Sequence, residues 1–137
     1  MMRQSMQVSA FKNDLRSRNA YVERISQLGE MIEEDYRLLS GVKSPSLEQT
    51  AHGVHNIDLE YERRERISRR MEERNALLES VRRIDRILNE MDPFVKRACI
   101  EKYVKGRTFV SVSSDLALSP NAINMRINHE IERVLRK

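Results

Sequence analysis

The sequence predicts an all-α protein: a long N-terminal helical hairpin or coiled coil, followed by a C-terminal three-helix helix–turn–helix module. Three observations carry that expectation. The chain is 34% charged with no Trp and only four Gly, a profile that suits helices better than sheets. Apolar residues recur at alternating steps of four and three through two long stretches, which keeps one helix face against a partner. Beyond Asp92 this gives way to short segments, each opened by a capping residue.

Residues 1–10 are polar and rich in Met, Gln and Ser, a frayed start. From Phe11 a stripe runs Leu15, Arg18, Val22, Ile25, Gly29, Ile32, Tyr36 and Leu39. Arg18 and Gly29 are flaws in it, and Gly inside a helix costs roughly 1 kcal/mol relative to Ala. Gly41, Ser44, Pro45, Ser46 and Gly53 then break the period, so a loop is expected at about residues 40–56. A second stripe follows at Ile57, Tyr61, Arg64, Ile67, Met71, Arg74, Leu77, Val81, Ile84, Leu88 and Met91, with a slip in spacing between Ile67 and Leu77. The mixed charges around it, such as Glu62 with Arg66, fall at i, i+4 and support the helix. Residues 1–91 are therefore expected to form an oligomerisation region. One hairpin does not obviously cover both stripes, so a homodimer is expected.

Residues 92–137 form the second predicted domain. Asp92-Pro93 and Ser119-Pro120 each pair a favoured cap with Pro at the first helical position, where its missing N–H costs nothing. The first helix is expected to bury Phe94, Ala98, Cys99 and Ile100 or Tyr103 before stopping at Gly106. Thr108 caps a short helix with Phe109, Val112, Ser113 and Leu116. Ala117-Leu118-Ser119 makes the turn, and the last helix places Ile123, Ile127, Ile131 and Val134 on one face. Ser113 is small where two helices would cross, and Leu118 is expected to plug the core between them.

Charge singles out the same segment. It holds nine Lys/Arg against five acids, whereas residues 1–56 hold seven of each and 57–91 nine of each, so the formal +4 of the chain is local. A basic module at one end of an otherwise neutral chain suggests a polyanion partner. On the last helix, Asn121, Ala122, Met125 and Asn128 lie opposite the Ile stripe, with Asn124 on one flank and Arg126 on the other. Asn can pair with adenine through two hydrogen bonds, and Ala and Met can pack on thymine methyls. Arg126, Ser119, Lys105 and Arg107 are candidate phosphate contacts, although Lys105 and Arg107 serve equally well as loop charges.

Other chemistry finds no footing in the sequence. His52 and His55 fall in the loop and His129 on the last helix, with no ligand spacing for a metal. There is no phosphate-binding glycine loop or nucleophile elbow, so neither an enzyme nor a cofactor is expected. The single cysteine, Cys99, precludes an internal disulfide and lies in an apolar stripe, where core packing is its expected role. No apolar run approaches the roughly 18 residues of a membrane span, and no signal-peptide core is seen, so a cytoplasmic location is expected.

The segment from Asp92 to Leu135 resembles region 4 of sigma factors. Tyr103, Gly106 and Thr108 fit the "xYxxGxS/T" end of that module's first helix. Val112-Ser113-Ser114-Asp115-Leu116 stands where the family has "IAxxL", and Ile123-Asn124-Met125-Arg126-Ile127 where it has "VxxRL". It departs in having Ala117 at the usual turn glycine, Ser113 at the usual alanine, and Pro120 and Asn121 where charged residues are common. The whole architecture, including the "GVKSP" break, is similar to phage late transcription regulators of the RinA-like and ArpU-like type. That resemblance implies a phage or prophage regulator acting on packaging or structural genes in the bacterial host cytoplasm. Its partners would be double-stranded DNA and RNA polymerase. Two alternatives remain open: a protein–protein module docking on RNA polymerase, and a phage DNA-packaging adaptor.

Overall fold

A computed structural model describes residues 6–40 and 53–136, with side chains in the second helix from residue 57 onward. Most of the expected loop, including "GVKSP" and His52, lies outside the described residues, as does the side chain of His55. The described residues hold five α-helices and no strand. These are α1 (Met6–Leu39), α2 (Gly53–Asn89), α3 (Pro93–Cys99), α4 (Phe109–Leu116) and α5 (Pro120–Leu135), with a π-helical turn, Ile100–Val104, continuing α3.

They form two compact units, and each long helix contributes to both. The first joins residues up to Tyr21 with everything from Ser80 onward; the second spans Val22–Glu79. The sequence draws its boundary at 91/92, because Asp92-Pro93 punctuates the chain there. Packing draws it elsewhere, because the buried seam continues across that punctuation.

The first unit is built around one core. Ile123, Ile127, Ile131 and Val134 of α5 are buried with Val112 and Leu116 of α4 and with Val95, Ala98, Cys99 and Tyr103. Val8, Phe11 and Leu15 of α1 and Ile84, Ile87, Leu88 and Met91 complete it. Full burial of each such Leu, Ile or Phe is worth about 1.5–3 kcal/mol. Ile84 is wholly inside this core, so its place in the second stripe serves intrachain packing. Within the unit α1 and α2 run antiparallel. Arg18 holds Asp85 through two bonds of 2.9 and 3.0 Å, and Arg83 reaches Asp14 at 3.3 Å. The apparent flaw at Arg18 is thus an ion-pair position.

Local caps follow the sequence closely. Asp92 accepts from the N–H groups of Phe94 and Val95 at 3.1 and 3.3 Å. Thr108 accepts from Ser111 and Ser119 from Ala122, both at 3.1 Å. The π-turn closes with Lys105 N–H donating to Ile100 at 2.9 Å, and Gly106 takes φ 74° to let the chain leave it. Phe94 is only half-buried, and its neighbour Val95 takes the core position expected of it.

In the second unit the first stripe is rotated from the expected one. Ile32 is buried as expected, but Leu28 and Asp35 are buried beside it, whereas Val22 and Tyr36 are exposed. Leu28 replaces Gly29 on the buried face, and nothing lies within 4 Å of where a Gly29 side chain would begin. Asp35, only 3% exposed, accepts from Arg66 at 3.3 Å and from Arg70. Arg24 and Glu73 form a further two-bond pair at 2.9 and 3.2 Å. The second stripe is buried at Ile67, but its first members Ile57 and Tyr61 are 70% and 67% exposed.

Ala117 is the non-glycine residue with positive φ among those described, at 58°. A left-handed backbone costs an L-residue roughly 1–2 kcal/mol, while glycine adopts it freely at an entropic cost in the unfolded chain. Ala117→Gly is therefore expected to stabilise the protein by about 1 kcal/mol, read as a higher urea midpoint with an unchanged slope. A lower midpoint would show that the turn tolerates Ala without strain.

Candidate nucleic-acid interface

The expected helix–turn–helix is α4, the Ala117-Leu118-Ser119 turn and α5. Ser113 Oγ donates to the Leu118 carbonyl, which stitches the end of α4 to the turn. Leu118 is half-buried and packs against the core. Ser119 caps α5, so its hydroxyl oxygen already serves the helix while the residue remains exposed. Beyond it Asn121 and Met125 are exposed, Met125 to 58%, and Ala122 and Asn124 are half-buried. His129 continues the exposed face.

The two flanks of α5 differ. On one, the Arg126 guanidinium lies 4.7 Å from the Phe94 ring centroid, stacked as a cation on an aromatic face. A shallow groove of about 460 Å³ beside it is lined by Asp92, Val95, Met125, Arg126, His129 and Glu130. Acids are thus close to Arg126. On the other flank Asn128 is half-buried and accepts from Lys12 of α1. Lysine can only donate, so the Asn128 carbonyl oxygen faces α1 and its amide N–H groups remain for other partners.

Lys105 and Arg107 have structural partners. Lys105 pairs with Glu101 at 2.8 Å. Arg107 donates to Glu101 at 2.6 Å, to Asp115 at 2.8 Å and to the Ser111 hydroxyl at 2.7 Å. Its guanidinium joins the π-turn to α4, and its donors are largely committed within the module. Those two pairs also hold the Glu101 carboxyl below its ordinary range.

Sequence reasoning passed over Lys12, which is 4% exposed on the face of α1 that packs on α5. Burial, then repulsion from Arg16, lowers its pKa. One signal was available: Lys12 sits beside Phe11 and four residues after Val8, inside the apolar face. Cys99 is fully buried, and burial pushes its thiol up to about 12, so it packs as a small hydrophobe. Among the described residues no three His, Cys, Asp or Glu gather into a metal site, and no helix is long and apolar enough to cross a membrane.

The chain matches no family model, no curated protein and no solved structure.

Glu130 ties α5 to the start of α3. It accepts from Arg133 at 2.7 Å and from the Asp92 N–H at 2.7 Å, and these bonds, Arg133 first, hold its carboxyl down at about 2. A depressed carboxylate stabilises the fold above its unfolded value, near 4.5, and loses that contribution as pH falls toward 2. Glu130→Gln should therefore be less stable than the parent at pH 7, with the gap closing between pH 4.5 and 2. Parallel stability curves across that window would show that the bond network carries no linkage.

Proposed function

We propose that this chain is a sequence-specific transcription regulator that binds double-stranded DNA through α5 and has no enzymatic activity. One observation carries the reading: a firmly capped helix presents Asn121 and Met125 to solvent at its N-terminal end, within the one segment that holds the chain's positive excess. Recognition helices meet base edges with their first turns. A helix some 10–12 Å across matches a major groove about 12 Å wide. The resemblance to sigma-factor region 4 and to RinA-like and ArpU-like regulators supports a phage or prophage origin. It also supports action on late packaging or structural genes in a bacterial cytoplasm, with RNA polymerase as a further partner.

Asn121 and Met125, with Ala122 and Asn124 beside them, supply base contacts. Ser119 and Arg126 hold phosphates, and Asn128 donates through its amide. Arg107 is left to its structural pairs. Asn121→Ala should cost about 1–3 kcal/mol on the cognate site and little on random DNA. Arg126→Ala should weaken both alike and lower the salt slope by about one. One competition titration against the DNA upstream of the protein's own gene reads both. If Asn121→Ala leaves discrimination intact, or binding is insensitive to salt, docking on a protein surface becomes the better reading.

A homodimer through the second unit is part of the proposal. Among its described residues few apolar side chains are buried, and Tyr36, Leu38, Ile57, Leu59 and Tyr61 remain exposed. The native mass should be twice the chain mass at about 10 μM, well above a micromolar-class dissociation constant. Ile57→Glu with Tyr61→Glu should halve it while leaving helix content unchanged. A monomeric parent at that concentration would refute the dimer.

A further inference from the structure

We propose that α1 supplies part of the DNA-binding surface. Arg16 of α1 and Lys102 of the π-turn form a cationic edge that grips the phosphate backbone along the Asn128 flank of α5. The inference rests on the DNA-binding reading and extends it to a helix some eighty residues away in sequence.

The geometry gathers three cations on one ring. The Lys12 ammonium, the Arg16 guanidinium and the Lys102 ammonium lie 5.5, 5.1 and 5.8 Å from the Tyr103 ring centroid. Lys102 is also 4.7 Å from the Phe109 ring. Lys12 in turn bonds Asn128, which fixes the cluster beside α5. The described acids of this unit that form ion pairs do so elsewhere: Glu101 with Lys105 and Arg107, Asp115 with Arg107, Glu130 with Arg133, Asp14 with Arg83, Asp85 with Arg18. Among the described residues Arg16 bonds the neutral Asn13, at 2.7 Å, and no acid lies within ion-pair distance of Arg16 or Lys102.

An aromatic face contributes about 0.5–1 kcal/mol to an exposed cation, which accounts for one such neighbour more readily than for Arg16 and Lys102 together, each of which also repels the buried Lys12. A polyanion relieves the repulsion. Duplex DNA suits the placement, because a helix in the major groove has a phosphate ridge on each side. The opposite flank, with Asp92 and Glu130 near Arg126, is the less cationic of the two. Lys12 is a positioning residue: nearly buried, it holds Asn128 and sets the edge against α5.

The test compares full-length proteins on a random-sequence 30-base-pair DNA duplex across a salt series. Arg16→Gln with Lys102→Gln should lower the slope of log affinity against log salt by about two, since each phosphate contact contributes about 0.9. The pair Arg16→Lys with Lys102→Arg should keep the parental slope. Arg64→Gln with Arg69→Gln, an equal charge loss in the second unit, should also leave it unchanged. A parental slope in the first variant would overturn the edge and leave the DNA-binding reading standing. So would an equal fall in the Arg64/Arg69 control, which would reduce the effect to net charge, or stronger binding to double-stranded RNA of the same length. A parent with no affinity for duplex DNA would remove the functional reading itself, and the edge with it. Thermal unfolding checks that each variant is folded.

Discussion

The helix–turn–helix depends on a seam it does not itself contain. Of the seventeen buried apolar residues described in the first unit, ten come from residues 92–137 and seven from α1, α2 and Met91 just after α2. Removing those seven would open the side of the core that α1 and the end of α2 cover. A segment of 46 residues is also near the size at which a lone core stops being sufficient. The direction in which α5 faces solvent is therefore set by Val8, Phe11 and Leu15 as much as by its own isoleucines. The C-terminal segment is one wall of a larger unit rather than a module carried on an independent support.

That dependence has an electrostatic consequence. Packing α1 against α5 brings Lys12 into a nearly closed environment, where desolvation disfavours its charge. The Asn128 carbonyl and the Tyr103 ring offset part of that cost. The price of the arrangement falls on Asn128, whose carbonyl oxygen is occupied. Two-bond recognition of adenine needs both ends of an Asn carboxamide, so among the three Asn of α5 the one beside α1 is the least suited to it. Asn121, exposed at the start of the helix, keeps both ends available.

What the sequence made legible was local. Caps at Asp92, Thr108 and Ser119, the stop at Gly106 and the isoleucine face of α5 depend on neighbours within about four residues, and all stand as read. The phase of the first stripe did not, because a run of threes and fours fits more than one seam on so long a helix. A step of four from Arg18 to Val22 leads on to Gly29 and Tyr36. The structure instead buries Leu28 and Asp35, and an apolar pattern has no means of finding an aspartate. The role of α1 beside α5 was hidden for a different reason. Residues 12 and 128 meet only through tertiary packing, and the nearness of Val8 and Phe11 marks Lys12 as facing inward without marking which helix it meets.

Asp35 also shows what holds the second unit in register. Among its described residues Leu28, Ile32 and Ile67 are the buried apolar side chains, too few to distinguish one antiparallel alignment from the next by area alone. A carboxylate closed off from water is costly unless paired, and only one alignment sets it against both Arg66 and Arg70. Sliding either helix by a turn would offer Asp35 Arg74 or Arg63 in place of one partner, but it would separate Arg24 from Glu73. Exposed pairs such as the latter add little stability. The ion pairs therefore contribute less to how tightly the two helices associate than to which alignment they take. A seam defined in this way keeps its register while leaving Tyr36, Ile57 and Tyr61 outside it.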